Sequence, residues 1–148
     1  MKPVYTYTIG TQGLAVERLE QIVSKLDALL VDVRTSPKSW NPDYQRANLA
    51  TLFGQRYAWK GDVLGGFGHT NSRGVEWLKE QRRERTLLLM CMEHRPGDCH
   101  RHSDICWPHF PDALHICGDE LILARELERS IQDGDEYEVH GSLAELLG

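Results

Sequence analysis

The chain has 148 residues, 41% of them hydrophobic and 26% charged, which suits one globular domain with a core of its own. Seventeen basic and twenty-two acidic side chains leave a formal charge of −5, which argues against a bulk electrostatic grip on nucleic acid but permits a local basic patch. No apolar run approaches the ~20 residues that span a bilayer, and Met1 to Tyr7 lacks the apolar stretch of a secretory leader, so a cytoplasmic protein with no membrane partner is expected.

Val4 to Ile9 alternates β-branched and aromatic residues and stops at Gly10, which predicts a strand. Leu19, Ile22, Val23, Leu26, Leu29 and Leu30 recur at helical spacing, so a helix starts after Gly13 and gives way near Asp27 or Ala28. Leu29 to Val33 is a short apolar strand. The prolines and serines of Thr35 to Pro42 make a loop. A helix is predicted over Asp43 to Phe53, with Gly54 at its C-terminal stop, then a short strand at Arg56 to Trp59. Lys60 to Ser72 reads as a long polar loop. Val75 to Arg83 is a helix capped by Asn71 or Ser72. Thr86 to Cys91 has four consecutive apolar residues, as in a strand buried on both faces. Asp98 reads as the N-cap of a helix running to Trp107. A strand at Ala113 to Cys117 and a helix at Glu120 to Ile131 follow. Tyr137 to His140 suggests an edge strand, Asp133 to Glu138 a solvated acidic turn and Ser142 to Leu147 a last helical turn.

Strands thus alternate with helices, which implies an α/β fold: a single three-layer domain around a mainly parallel sheet of four to five strands. Ligands of such sheets lie beyond the carboxyl ends of the strands. Two of those ends carry chemistry, Asp32-Val33-Arg34 and Cys91-Met92-Glu93.

All four cysteines lie between Cys91 and Cys117, together with His94, His100, His102 and His109. In a reducing compartment this clustering points to metal, catalysis or burial before disulfides. If Asp98 caps a helix, Cys99, His100 and Arg101 form its first turn, where orphan N–H groups favour an anion and a thiol ionises more readily. Arg101 would add a fork suited to phosphate. Glu93 suits a general base or a hydroxyl ligand, and packing does not explain a carboxylate there. Cys91, Cys106 and Cys117 read as core thiols.

Asp32 and Arg34 alternate, so their side chains share a face. They form either an ion pair or a pair in which Arg34 faces an anionic ligand. Gly65, Gly66 and Gly68 permit close backbone approach, and His69 faces either the crevice or solvent. No phosphate-loop or dinucleotide motif is present. Trp40, Tyr44, Tyr57 and Trp59 suit packing more than base stacking. Cys91, Cys99, His100 and His102 are zinc-ligand types, but they lack a C-x-x-C pair, and the two histidines point to different sides of a helix. Cys91 and Cys99 could exchange thiol for disulfide only with Cα atoms within about 7 Å.

At these residues the chain resembles the family catalogued as domain of unknown function 488. The matching pieces are Tyr7-Thr-Ile-Gly10, Val31-Asp-Val-Arg-Thr-Ser-Pro37, Asn41-Pro-Asp-Tyr44, Leu64-Gly-Gly66, Cys91-Met-Glu93, Pro96 with Cys99-His-Arg101, and His115-Ile116. They keep the family's order over about three quarters of the chain. Thr11-Gln12 departs from the family, which often has His-Ser after the first T-I-G. The resemblance implies a compact α/β domain of bacterial, archaeal or phage type. It supplies no reaction, and it groups Asp32, Arg34, Glu93, Cys99, His100 and Arg101 as one site.

The combined expectation is a small enzyme of hydrolase or transferase type, without a cofactor. Its substrate is a small anion or nucleic acid: a nucleotide, a nucleic-acid end or a sugar phosphate. Glu93, Cys99 and His100 act on a substrate held by Asp32, Arg34, Gly65, Gly66, His69 and Arg101. Its rivals are a non-catalytic nucleotide-binding module and a zinc-stabilised structural domain.

Overall fold

The computed structural model describes residues 5–148. The Val4 start of the first predicted strand, and Met1 to Val4 of the N-terminal reading, lie outside them. Among the described residues no helix is long and apolar enough to cross a membrane.

In chain order the elements are β1 (Thr6–Gly10), α1 (Val16–Leu26), β2 (Ala28–Asp32), α2 (Arg46–Phe53), β3 (Tyr57–Trp59), α3 (Gly61–Leu64), α4 (Ser72–Gln81) and β4 (Thr86–Cys91). A π-helical segment over Arg101–Cys106 then runs into α5 (Trp107–His109), followed by β5 (Leu114–Cys117), β6 (Glu120–Leu123), α6 (Ala124–Asp133) and α7 (Leu143–Leu147). The six strands form one sheet in the order β3-β2-β4-β1-β5-β6. All neighbours pair in parallel except β5 with β6.

The pleat sorts the core into two layers. Leu88 and Met90 of β4 join Tyr7, Ile9, Leu19, Ile22 and Leu49 on one face, under α1, α2 and α7. Leu87, Leu89 and Cys91 join Val31, Leu64, Leu78, Ile105 and Ala124 on the other, under α4, the π segment and α6. All six residues of β4 are buried, as an apolar run between two helical layers must be. Removing one of its leucine side chains would cost ~2–5 kcal/mol. The expected α/β architecture with three layers is therefore present.

Four local expectations are corrected. The sheet has six strands rather than four to five, because Glu120–Leu123 is β6 and not the start of a helix. Gly118, at φ 60°, makes a tight turn with Asp119 that sets Leu121 and Ile122 against β5. Tyr137 to His140 is not a strand; it meets β6 only through isolated bonds, Tyr137 O–H to Glu120 Oε1 and His140 N–H to Leu121 O, with Leu121 N–H to Gly141 O just beyond it. The loop from Lys60 is interrupted by α3, packed against α4. Asp98 ends a 3₁₀ turn (Pro96–Asp98) instead of capping a helix, and Cys99 behind it is extended.

Asn41, Asn71 and Ser142 cap the turns that follow them, accepting from the N–H groups of Asp43, Gly74 and Glu145. The registers Gly10↔Cys91 and Asp32↔Met90 bring the carboxyl ends of β1, β2 and β4 to one edge. The ladder continues beyond the strands through Thr11 N–H to Cys91 O and Val33 N–H to Met90 O. The chemistry lies at this edge.

Candidate functional site

Cys91 is the last residue of β4, and its thiol turns toward the layer that contains Cys99. Cys99 is held extended after the Pro96–Asp98 turn, so its sulfur meets the start of the π segment and accepts the Arg101 backbone N–H at 3.5 Å. His100 leans between the two sulfurs, its Nδ1 lying 3.8 Å from each. Glu93 completes the group, with Oε2 3.4 Å from the Cys91 sulfur. One donor atom from each of Cys91, Cys99 and His100 lies within 4.8 Å of the others. Both cysteines are buried, while His100 and Glu93 are half-buried.

The far side of the imidazole is fixed by backbone. His100 Nε2 lies 3.0 Å from Val33 O and 2.9 Å from Leu64 O, and since carbonyls only accept, this nitrogen carries a proton. The ring thereby bridges the end of β2, the end of α3 and the thiols. Gly65 and Gly66 are buried over it. A Cβ on Gly66 would stand 3.3 Å from His100 Nδ1, and one on Gly65 would stand 2.3 Å from Thr35 Oγ1. Glycine lets this turn close on the ring. At its tip Phe67 is almost fully exposed and holds φ 55°, an uncommon conformation for a bulky residue.

The electrostatics divide the two thiols. Cys99 is shifted toward the thiolate, first by the Cys91 hydrogen bond and then, against the opposing effect of burial, by His100 and Arg101. Cys91 is pushed the other way by donating to that sulfur and by its burial. Burial works against a charge on His100, but its contact with Cys99 outweighs this and raises its pKa. The arrangement favours a thiolate on Cys99, supported by the Cys91 thiol and the His100 ring.

The guanidiniums do not join it. Arg101 is fully buried: its Nε donates to Thr8 Oγ1 (3.1 Å), and its Nη groups donate to Glu93 O (2.9 Å) and His94 O (3.3 Å). It braces the loop after β4 and offers no open face to an anion. Arg34 is folded back on Asp32, with Nε at 2.8 Å from Oδ1 and Nη2 at 2.7 Å from Oδ2, and Tyr57 O–H also donates to Oδ2 at 2.6 Å. Burial opposes charge on Arg34, but the Asp32 carboxylate prevails and its pKa is raised. Asp32 follows Leu30 on its face of β2, the face opposite the thiols. The predicted site is therefore split. Glu93, Cys99, His100, Gly65 and Gly66 come together; Asp32 and Arg34 form a buried ion pair on the other face, Arg101 is structural in its contacts, and His69 is exposed on the turn.

Of the zinc-ligand types, His102 also departs. Its Nδ1 faces His115 Nε2 at 3.0 Å and its Nε2 faces Glu128 Oε1 at 3.0 Å. Cys91 is buried in the core, as expected, and also belongs to the cluster, as its place among the zinc-ligand types and two residues before Glu93 at a strand end allowed. Cys106 is core, and burial pushes its thiol up to about 12. Cys117 is only half-buried, 3.7 Å from His94 Nε2. Tyr44, Tyr57 and Trp59 are engaged inside the fold through Leu14 O, Asp32 and Arg34 O. Trp40 is instead fully exposed.

Trp40 borders a cleft of about 720 Å³ on the Asp32 side of this edge, with Gln12, Lys38, Asn41, Tyr44 and Met92 in its walls. Met92 lines the cleft while its neighbours Cys91 and Glu93 turn toward the thiol cluster, so one segment serves both. Searches against protein-family models, curated proteins and solved structures gave no match to this chain.

Proposed function

We propose that the protein is a small enzyme of hydrolase or transferase type whose nucleophile is the Cys99 sulfur. The observation that carries this reading is the convergence on that one atom of the Cys91 thiol, the Arg101 backbone N–H and the His100 imidazole, beside a buried guanidinium. A thiolate held this way is the attacking form of cysteine. In the reaction the sulfur bonds to the substrate's electrophilic centre as the bond to the leaving group breaks, and the leaving group takes the Nδ1 proton of His100. Water or a second acceptor then displaces the sulfur and returns a proton to His100, with Glu93 as a further base.

Lys38, Asn41 and Gln12 in the adjoining cleft suit an anionic substrate such as a nucleotide, a nucleic-acid end or a sugar phosphate, with Trp40 beside them. This replaces the two guanidiniums as the proposed anion contacts. Membership in the domain of unknown function 488 family is part of the same proposal, carried by the motifs that supply Cys91, Glu93, Cys99 and His100. Cys99 is 4% exposed, so a substrate reaches its sulfur only when the chain around it moves.

The test is alkylation of the reduced, metal-free chain by iodoacetamide across pH, read by peptide mapping. Cys99 should react at pH 6 at least ~10-fold faster than Cys106, with a midpoint well below the ordinary ~8.5 of a cysteine. Cys99 that reacts no faster than Cys106, or only above pH 8, overturns the reading. Once a substrate is found, Glu93→Gln separates turnover from binding: loss of rate with affinity kept marks an enzyme, and a change in affinity alone marks a binding module.

A further inference from the structure

We infer that Cys91, Cys99 and His100 form a binding site for one zinc-like divalent cation, with the Glu93 carboxylate or a water in the fourth position. The donor set is that of a borderline-soft metal, two sulfurs and an imidazole. Its dimensions also fit. Tetrahedral zinc, with bonds of about 2.3 Å to sulfur and 2.0–2.1 Å to nitrogen, sets its ligand atoms roughly 3.6 Å apart for S···N and roughly 3.8 Å for S···S. His100 Nδ1 stands 3.8 Å from both sulfurs, and Glu93 Oε2 stands 3.4 Å from Cys91 Sγ. The two S···N spacings are a few tenths of an ångström from coordination distance, the three donors all lie within 4.8 Å of one another, and Glu93, close to Cys91 alone, would have to swing in to join them.

Two further features distinguish this from a chance meeting of thiols. The Nε2 side of His100 is anchored to Val33 O and Leu64 O, the outer support that orients an imidazole ligand and leaves Nδ1 to face the metal. The donors come from separate, well-braced pieces of chain: the end of β4, the extended Cys99 and the start of the π segment. They converge without a C-x-x-C pair, which is why spacing alone did not reveal the site. His102 is not needed, since the Glu93 carboxylate or a water can take the fourth position.

On binding, both sulfurs and His100 Nδ1 must be free of protons, so binding releases protons as three bonds to the metal form and weakens as pH falls. The inference concerns occupancy and does not depend on turnover. If the proposed chemistry of Cys99 also holds, the cation masks the nucleophile.

The experiment is a titration of the full, reduced, chelator-stripped chain with Co2+. One Co2+ per chain is expected, with sulfur-to-cobalt charge transfer, the strong visible absorption of a four-coordinate ion and displacement by Zn2+. Cys91→Ser and Cys99→Ser should each weaken binding at least ~10-fold, and Cys106→Ser should leave it unchanged. Absence of the sulfur band, or its survival at wild-type affinity in both cluster variants, overturns the inference. Because a serine in this buried site can prevent folding, protection in the unmodified chain gives a second reading. Zn2+ should slow alkylation of Cys91 and Cys99 at least ~10-fold and leave Cys117 as reactive as before; equal labelling with and without Zn2+ overturns it. A sluggish Cys99 in metal-free protein that still gives the cobalt band would sink the nucleophile and keep the metal site.

Discussion

The Arg101 guanidinium is fully enclosed, and its hydrogen bonds go to Thr8 and to the carbonyls of Glu93 and His94, none of which is anionic. A charge out of water needs a counter-charge, and the Cys99 thiolate supplies it, since Arg101 in turn favours ionisation of Cys99. One residue thus joins stability to reactivity. Arg101→Met would keep most of the side-chain volume but leave the Glu93 and His94 carbonyls without their donor and remove the support for the thiolate. The expected cost is ~2–4 kcal/mol in urea unfolding, with the alkylation midpoint of Cys99 moving upward. An unchanged midpoint would show that Arg101 is not what keeps this sulfur charged.

At the scale of elements, the site depends on how closely the loop after β4 lies on β1. A Cβ on Gly10 would stand 1.9 Å from Glu93 O, a backbone atom that cannot swing aside. Gly10→Ala should therefore part β1 from the loop that carries Glu93 and cost several kcal/mol, on the order of 3. Gly97→Ala, which meets nothing nearer than the Ile131 side chain at 3.6 Å, should be close to neutral. Equal melting temperatures for the two variants would refute this account of the edge. The strands that meet here were legible because their signals are local: six buried residues in β4, and alternation that ends at Gly10 in β1. β6 was missed because Leu121, Ala124, Leu127 and Ile131 fall at helical spacing, and the deciding feature was the Gly118-Asp119 turn. The site was legible as two strand ends and a Cys-His-Arg step. Which face each side chain took was not, because Asp32 can satisfy Arg34 locally while Cys91 and Cys99 meet only once β4 and the π segment pack together. The helix expected after Asp98 is present but begins only at Arg101, as a π segment, because Cys99 is extended and its sulfur, not the Asp98 side chain, receives the N–H at the start.

Across the whole molecule a single line of hydrogen bonds runs from that segment through the sheet to α6. Arg101 Nε donates to Thr8 Oγ1, which lies 2.6 Å from His115 Nδ1; His115 Nε2 meets His102 Nδ1 at 3.0 Å, and His102 Nε2 meets Glu128 Oε1 at 3.0 Å. The Glu128 carboxylate only accepts, so His102 carries its proton on Nε2, His115 donates from Nε2, and Thr8 donates to His115 Nδ1. Every junction is satisfied with both rings neutral, and an added proton sets donor against donor. The pKa of His115 is accordingly driven well below the usual value, by burial first and then by Arg101 and His102. That of His102 is lowered by burial despite Glu128. For groups depressed in this way the unfolded chain takes up the protons first, so the stability they confer is complete above pH ~6.5 and is lost as pH falls below it, at up to about 1.4 kcal/mol per pH unit for each ring. His100 exerts its slope on the other side: its raised pKa gives stability below pH ~6.5 that is lost as pH rises through the folded value. The lowered Cys99 thiol adds a loss of the same sign as the buried pair, so the rings must be followed individually. Nitrogen-15 spectra should show both rings titrating below pH ~6.5, His115 lower than His102, with the neutral rings protonated on Nε2, while urea midpoints fall from pH 7 to 5.5. Rings that titrate at or above pH 6.5 would mean the line carries charge, and α6 would then be tied to the sheet by an ion pair instead of a neutral relay.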